Sequence, residues 1–150
     1  MDGRNFIIRV YGIYLATGKG LLVSDEIVKG KYVTKFPGGG LEYGEGTIAC
    51  LKREMMEETG CEFRVVSHYY TTDFFVESAF HPSHQVLSIY YLIEPVNSFE
   101  VKIAATPFEF NGGTEGSQSF RFVPFDKISA SDFSFPIDQF VVNRLKEDVA

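Results

Sequence analysis

The chain has 150 residues, of which 45% are hydrophobic and 15% aromatic, a composition that predicts one compact domain, residues 1–150, with a substantial core. Its formal net charge of -6 argues against binding to extended nucleic acid, because a phosphate backbone is held mainly by faces rich in Lys and Arg. A small phosphorylated ligand stays compatible with this charge, since a bound metal and a few local cations can reverse the sign of a site.

Cysteine content and hydropathy predict the compartment. The two cysteines, Cys50 and Cys61, are too few for a disulfide framework and favour free thiols in a reducing environment. The first residues lack a basic stretch followed by a long apolar run, and no window approaches the roughly eighteen apolar residues of a membrane span. We therefore expect a cytoplasmic protein with no membrane partner.

The first part of the chain predicts a strand hairpin. Phe6 to Ala16 is rich in Ile, Val and Tyr, and Leu21 to Ser24 can pair back on it across a turn that contains two glycines. Asp25 to Lys31 is polar and reads as a mobile segment. Tyr32 to Phe36 is predicted to be extended, because the following proline disfavours helical geometry in the residue before it.

The clearest helix is predicted for Thr47 to Glu58. Ile48, Leu51 and Met55 recur at helical spacing and form an apolar stripe, while acidic residues follow another face. Gly60 stands where a left-handed C-terminal cap is expected. The helix should therefore bury one face and present an acidic one.

The remainder of the chain predicts mainly strands and one closing helix. The segment from Gln85 to Ile93 is almost continuously apolar and is predicted to be a central strand. A long aromatic loop, Asp73 to His84, precedes it. The other predicted elements are strands at Glu62 to Thr72, Phe99 to Phe110 and Phe120 to Pro124, a Gly-rich loop at Asn111 to Ser117, and a helix at Pro136 to Lys146.

Three carboxylates on the predicted helix point to a cation. Glu54, Glu57 and Glu58 lie three and four positions apart, so they stand on neighbouring sites of one face and repel one another unless a cation is present. Mg²⁺ prefers such oxygen ligands and is commonly shared between protein carboxylates and substrate phosphates. The glycines at positions 38 to 40 let the backbone approach a ligand, and a carbonyl there could complete the oxygen shell.

The same segment favours an ion pair between Arg53 and Glu45, which would hold the loop before the helix against the helix itself. Acidic residues on one helical flank are most often only a solvated face. Here a proline and glycine turn, a lone glutamate, an Arg-Glu pair and a Glu-Glu-x-Gly ending occur together, and solvation predicts no such combination.

The spacing resembles the Nudix box at every defined position. Gly39 is followed after five residues by Glu45 and after seven more by Arg53-Glu54-Met55, and the pattern ends with Glu57-Glu58, one residue, Gly60 and Cys61. The order of predicted elements is also similar to the Nudix fold. The resemblance implies an α/β fold of mixed α+β character, an α/β/α sandwich around a mixed β-sheet.

The resemblance also implies residue roles. Glu57, Glu58 and the Gly38 carbonyl look like metal ligands, and Glu54 looks like a ligand or the base that activates water. Arg53 with Glu45 looks like the orienting pair of the catalytic segment. Glu115 is a candidate for a further ligand from a loop, with an exposed loop acid as the equal alternative. Gly39, Gly40 and Phe36 are the candidate substrate contacts.

By this resemblance the chain hydrolyses a phosphoanhydride (pyrophosphate) bond in a nucleoside diphosphate linked to another moiety, with Mg²⁺ or Mn²⁺. The alternative substrates are nucleoside triphosphates, cleaved in a housecleaning role. A nucleotide-binding sensor without turnover is a further class, which intact glutamates argue against. The aromatic loop could instead serve as a protein interface, for example in a homodimer.

Overall fold

The structure is a computed structural model that describes residues 3–110 and 112–149. Along these residues the elements are β1 (Asn5–Ile13), β2 (Leu15–Ala16), β3 (Gly20–Val28), β4 (Lys31–Lys35), β5 (Gly38–Gly40), α1 (Thr47–Thr59), β6 (Phe63–Thr71), β7 (His84–Pro95), β8 (Gln118–Val123), a short 3-10 helix (Ala130–Asp132) and α2 (Pro136–Val149). The chain divides into two compact units. The first contains the residues up to Ile13 with Gly38–Glu100, and the second contains Tyr14–Pro37 with the residues from Val101 onward.

The first unit is built on a four-stranded mixed sheet in the order β5-β1-β7-β6. β1 pairs in parallel with β7, from Asn5 opposite His84 to Ile13 opposite Leu92. The pairs β1–β5 and β6–β7 are antiparallel. β7 therefore lies between two strands, which confirms its prediction as a central strand and explains its apolar sequence.

Helix α1 forms as its sequence predicts and begins at the expected residue. Cys50, Leu51 and Met55 are buried, and an added Cβ at Gly12 of β1 would touch Leu51, so the helix packs on the sheet at that strand. Gly60 closes the helix in the left-handed conformation (φ 71°) and donates its N–H to a carbonyl in the last turn. The predicted stripe is correct except at its first member, since Ile48 is half exposed.

The second unit is an antiparallel sheet in which β3 pairs with β2, β4 and β8, accompanied by α2. The predicted hairpin forms only at Leu15 and Ala16, which pair with Leu21 and Gly20, because the earlier part of the predicted strand is β1 and pairs with β5 and β7. The prediction of a mobile segment from Asp25 is wrong. Asp25 is fully buried in β3, where it accepts hydrogen bonds from Thr34 Oγ1 at 2.6 Å and Arg121 Nε at 2.7 Å.

The strand predicted at Phe99 to Phe110 is also wrong. These residues contain one isolated bridge, from Ile103 to Phe120, and otherwise follow an irregular path. Phe108 has a positive φ of 57°, which an extended strand does not allow. Its N–H donates to the buried Asp25 carboxylate at 3.2 Å. The segment is therefore held by a side-chain acceptor and not by the backbone hydrogen bonds of a β-sheet. Asn111, the first residue of the predicted Gly-rich loop, lies outside the described residues.

The fold class agrees with the prediction. The structure is a mixed α+β fold in which one parallel strand pair lies among antiparallel pairs, with two α-helices in the described residues. None of the described helices is long and apolar enough to cross a membrane.

Candidate active site

The site is built on β5, a strand of three glycines. Its first position, Gly38, can be occupied only by glycine. Gly38 has φ +145° and lies opposite Tyr11 of β1, and a Cβ there would overlap the Val10 carbonyl oxygen. Gly39 pairs with Val10 and Gly40 with Arg9. The strand is therefore a bare backbone ribbon on the edge of the sheet.

The carboxylate of Glu54 lies directly against this ribbon. A Cβ added to Gly39 would come within 2.5 Å of both Glu54 carboxylate oxygens. The missing side chain leaves the space that Glu54 occupies, and α1 delivers Glu54 from the middle of the helix. Glycine at position 39 is thus required because any side chain there would displace the Glu54 carboxylate.

Arg53 joins the loop, the glycine strand and the helix. Its Nε donates to Glu45 Oε2 at 2.9 Å and its Nη2 to Glu45 Oε1 at 2.7 Å, a two-pronged ion pair. Nη1 donates to Glu54 at 3.0 Å and lies 3.3 Å from Glu57, and Nη2 lies 3.3 Å from the Gly40 carbonyl oxygen. Arg53 thus binds its predicted partner Glu45 and also two of the acids of α1, Glu54 and Glu57.

The electrostatics of the site follow from these contacts. The hydrogen bond from Arg53, aided by the backbone N–H of Glu42, lowers the pKa of Glu45 to about 2. The same carboxylate raises the pKa of Arg53. Burial, followed by the neighbouring Glu45 charge, raises the pKa of the Cys50 thiol to about 12. Glu45 and Arg53 are therefore fixed in their charged forms, and Cys50 is fixed as a neutral thiol.

The two other acids of the helix, Glu57 and Glu58, differ in exposure. Glu57 has a side chain that is 59% exposed, and it contacts Arg53 one helical turn earlier. Glu58 is half buried on the same helix. Within residues 3–110 and 112–149, no three His, Cys, Asp or Glu side chains are already gathered around one point. In the structure the Arg53 guanidinium contacts both Glu54 and Glu57 and is the positive charge between these two carboxylates.

The donor set nevertheless fits a hard divalent cation. Every candidate ligand is an oxygen, from glutamates of α1, from a carbonyl of the glycine strand or from the loop acid Glu115, and such cations take oxygen ligands. The Gly39 backbone that accommodates Glu54 brings a carboxylate and main-chain carbonyls to the same edge.

Two candidate residues have other partners in the structure. Glu115 accepts hydrogen bonds from the backbone N–H groups of Lys29 at 2.5 Å and Gly30 at 3.1 Å, so it supports the turn between β3 and β4. Metal binding by Glu115 remains a prediction, and no described contact supports it. The side chain of Phe36, a predicted substrate contact, is fully buried and stacks on Phe133 with ring centroids 4.8 Å apart, so no described contact of that side chain supports the prediction.

Arg9 and Tyr11 have no predicted role, and both lie on β1 opposite residues of the glycine strand. The Arg9 Nε donates to the Tyr11 hydroxyl at 3.0 Å, and the guanidinium lies over the Tyr11 ring, 5.6 Å from its centroid. Their place beside the glycine strand follows from the strand register, which sets Arg9 opposite Gly40. That register cannot be predicted from the sequence without knowing which strand pairs with β1.

Solved structures of similar fold share this architecture. A MutT protein from Methanosarcina mazei Go1 matches with a TM-score of 0.70 and 17% identity over 99% of this chain and 97% of that chain. A Nudix hydrolase from Nitrosomonas europaea matches with a TM-score of 0.63 and 17% identity over 97% and 72%. A structure from a study of MutT from Aliivibrio salmonicida and Vibrio cholerae matches with a TM-score of 0.59 and 20% identity, over 95% of this chain and 98% of that chain.

Sequence comparison identifies the family directly. Among curated proteins, no sequence matches this chain. The NUDIX domain profile matches residues 6–142, which include the glycine strand, the whole of α1 and most of the strands. The chain belongs to the Nudix family and has the fold of Nudix hydrolases.

Proposed function

We propose that the chain is a divalent-metal-dependent hydrolase that cleaves a phosphoanhydride bond in a nucleoside diphosphate linked to another moiety. The observation that carries the proposal is the position of Glu54. Its carboxylate lies against the Gly39 backbone while Arg53 binds Glu45, Glu54 and Glu57. This arrangement gathers negative oxygens where a dense phosphate anion would be repelled without a cation.

The residues that would hold the cation are Glu54, Glu57, Glu58 and the Gly38 carbonyl, with Mg²⁺ or Mn²⁺ as the ion. When bound, such a cation neutralises phosphate oxygens and lowers the pKa of the attacking water. Glu115 is left out of this set, because its two described backbone partners hold it at the β3–β4 turn.

Glu54 is the proposed acceptor of the proton from the attacking water. It lies at the glycine strand with limited exposure and is held by Arg53 Nη1 at 3.0 Å, so it has a fixed position from which to act as a base. Arg53 and Glu45 act as positioning residues. Their two-pronged pair fixes the loop after Gly40 to the second turn of α1.

The substrate is proposed to be a small nucleotide and the compartment the cytoplasm. A nucleoside triphosphate is the second candidate, because it presents the same kind of phosphoanhydride bond to the site around Glu54. Gly39 and Gly40 remain the proposed main-chain contacts to the substrate.

The test is a phosphate-release screen with Mg²⁺ and with Mn²⁺. The substrates are nucleoside triphosphates, sugar nucleotides, ADP-ribose, NADH and dinucleoside polyphosphates, and the proteins are the parent, Glu54→Gln, Glu57→Gln and a control, Glu62→Gln. Glu62 is an exposed acid just beyond the helix. We expect turnover by the parent and the control and a loss of about 10²-fold or more in the two active-site variants, the scale of lost acid–base or electrostatic catalysis.

The screen also separates the candidate functions. Release from linked nucleoside diphosphates supports the first candidate, and release from triphosphates alone supports the second. Equal rates for Glu57→Gln and the parent, or no hydrolysis of any phosphoanhydride, would contradict the proposal. Nucleotide binding without turnover would favour the sensor.

A further inference from the structure

Helix α1 carries Glu54, so the rotation of this helix on the sheet decides where the Glu54 carboxylate lies. The residues that the helix buries, Cys50, Leu51 and Met55, are hydrophobic. Hydrophobic contact is not directional, so it holds the helix on the sheet without fixing its rotation closely. A hydrogen bond between the helix and a central strand would supply that constraint.

Tyr91 of β7 makes such a bond to the start of the helix. Its hydroxyl lies 2.6 Å from the hydroxyl of Thr47, the first residue of α1, and the pair is partly buried. β7 lies between β1 and β6 in the sheet. The N-cap residue Gly46 has no side chain to bind the first amides of the helix, so the Tyr91 hydroxyl anchors this turn in place of a capping side chain.

The strand register places Tyr91 on the face of the sheet that α1 covers. Tyr91 lies opposite Gly12 of β1. A Cβ added to Gly12 would overlap Ile93, two residues further along β7, and would touch Leu51 of α1. Side chains two positions apart on a strand share a face, so Tyr91 and Ile93 both point toward the helix. The Tyr91 ring also meets the ring of His68 on β6 edge to face, with centroids 5.7 Å apart.

Thr47 and Glu54 lie on one side of α1. Glu54 follows Thr47 by seven positions, which places it within about 20° of the same direction and about 10 Å further along the helix axis. Thr47 binds Tyr91 at one end of this stripe, and the Glu54 carboxylate lies against Gly39 at the other. A helix rotation of about 10° would move an atom about 6 Å from the axis by about 1 Å. An anchor at Thr47 therefore limits the displacement of Glu54.

The contacts of Arg53 act on other elements. Its two-pronged pair with Glu45 joins α1 to the loop before the helix. Its bond to the sheet reaches the Gly40 carbonyl oxygen at 3.3 Å, on the short edge strand β5. The Thr47–Tyr91 bond therefore ties the helix to a part of the sheet that neither of these contacts reaches.

We infer that Tyr91 is a positioning residue of the active site, which acts through Thr47 to set the rotation of α1 and with it the position of the Glu54 carboxylate. The inference rests on the proposed function for the reaction that Glu54 serves. Loss of the Tyr91 hydroxyl should displace the proposed base and leave the substrate contacts at the glycine strand in place. Its effect should therefore be on kcat more than on KM.

Kinetics on a substrate found in the screen test this role. Tyr91→Phe and Thr47→Val each remove one hydroxyl, and each should lower kcat about tenfold while KM stays within about twofold of the parent value. The double variant should be no slower than either single variant, because both changes break the same bond. Thr47→Ser keeps the hydroxyl and should retain most of kcat.

The control is Tyr32→Phe, which removes the hydroxyl of an exposed tyrosine on β4, in the second unit. It should have the kcat and KM of the parent. Equal kcat in Tyr91→Phe and the parent, or an equal loss in Thr47→Ser and Thr47→Val, would overturn the inference.

A measurement without turnover separates this inference from the proposed function. The amide resonance of Gly39 is followed by NMR in metal-free protein labelled with ¹⁵N-glycine, and it is identified by its absence in Gly39→Ala. Glu54→Gln should shift this resonance, because the carboxylate lies against Gly39. We expect Tyr91→Phe and Thr47→Val to shift it as well, and Thr47→Ser and Tyr32→Phe to leave it in place, with the fold of each variant checked by circular dichroism.

The two measurements give distinct outcomes. A Gly39 resonance that does not move in Tyr91→Phe would overturn the inference whether or not the chain hydrolyses nucleotides. A shifted resonance in Tyr91→Phe, together with no hydrolysis by the parent, would contradict the proposed function and support the positioning of Glu54 by Tyr91.

Discussion

Arg53 binds both carboxylate oxygens of Glu45, a residue that precedes helix α1 and lies eight positions earlier in the chain. Both distances, 2.9 and 2.7 Å, are typical of charge-assisted hydrogen bonds. The pair closes the loop between the glycine strand and the helix. The position of Glu54, the next residue after Arg53, therefore depends on a contact made outside the helix.

Replacing Arg53 by Lys should cost both stability and activity. Lysine keeps the charge but cannot bind Glu45 with two parallel donors or reach Glu54 and the Gly40 carbonyl at the same time. We expect a loss of about 1–3 kcal/mol in the free energy of unfolding, measured by urea denaturation, with a larger relative loss in kcat. Full activity in Arg53→Lys would show that the two parallel donors of the guanidinium are not needed.

The Arg53–Glu45 pair should stabilise the protein only above the pH range in which Glu45 titrates. Its pKa falls from 4.5 to about 2 on folding, so the folded state favours the charged form. The contribution is complete above about pH 4.5 and disappears as the pH falls toward about 2. The Tm difference between the parent and Glu45→Gln should be constant near neutral pH and shrink across this interval. A difference that grows on acidification would contradict the assignment.

Gly39→Ala should disable the site while leaving most of the fold intact. The added Cβ would meet the Glu54 carboxylate, which is the far end of a flexible side chain and can move away. We expect circular dichroism like that of the parent and a loss of activity of about 10²-fold, similar to that of Glu54→Gln. The control is Gly46→Ala, where φ is -80° and a Cβ meets open space, and it should retain activity.

Mg²⁺ should stabilise the metal-free protein through the glutamates. A cation present at about one hundred times its Kd adds about 2.7 kcal/mol, or roughly 5 to 10 °C in Tm for a chain of this size. Removing Glu57 or Glu58 should reduce this rise, whereas Glu115→Gln should leave it unchanged, because Glu115 contacts the Lys29 and Gly30 amides. A rise lost in Glu115→Gln alone would restore that residue to the ligand set.

The two cysteines should react differently with a thiol reagent. Cys50 is fully buried and its pKa is raised to about 12, so almost no thiolate is present near pH 8, whereas Cys61 is only partly buried. The native protein should titrate one thiol with DTNB and the denatured protein two. Cys61→Ser should titrate none until it is denatured. Rapid reaction of Cys50 in the native state would show that the core around α1 opens.

Local signals predicted the elements around the site correctly. The apolar spacing of Leu51 and Met55 and the glycine cap at position 60 are contained within one helix, so no distant partner was needed to recognise them. The ion pair of Arg53 with Glu45 spans eight residues and was predicted for the same reason. The bidentate geometry and the further bonds to Glu54 and Glu57 required three-dimensional coordinates.

The errors concern residues whose partners are distant in sequence. Asp25 looked like part of a polar connection, because its partner Arg121 lies on β8 at the other end of the chain. Phe36 was correctly expected to be extended before proline, but its burial depends on Phe133. The aromatic residues of 99–110 suggested a strand, whereas a left-handed Phe108 and a side-chain acceptor for its N–H fix another path.

The parallel pairing of β1 with β7 has a consequence for biosynthesis. The strand that carries Arg9 and pairs with the glycine ribbon finds its other neighbour about eighty residues later. Until that segment leaves the ribosome, β1 and β5 form only a two-stranded ribbon, which has marginal stability alone. Such distant contacts also slow folding. The nascent chain therefore carries the complete segment from Gly39 to Cys61 before it has a sheet able to hold that segment in its folded geometry.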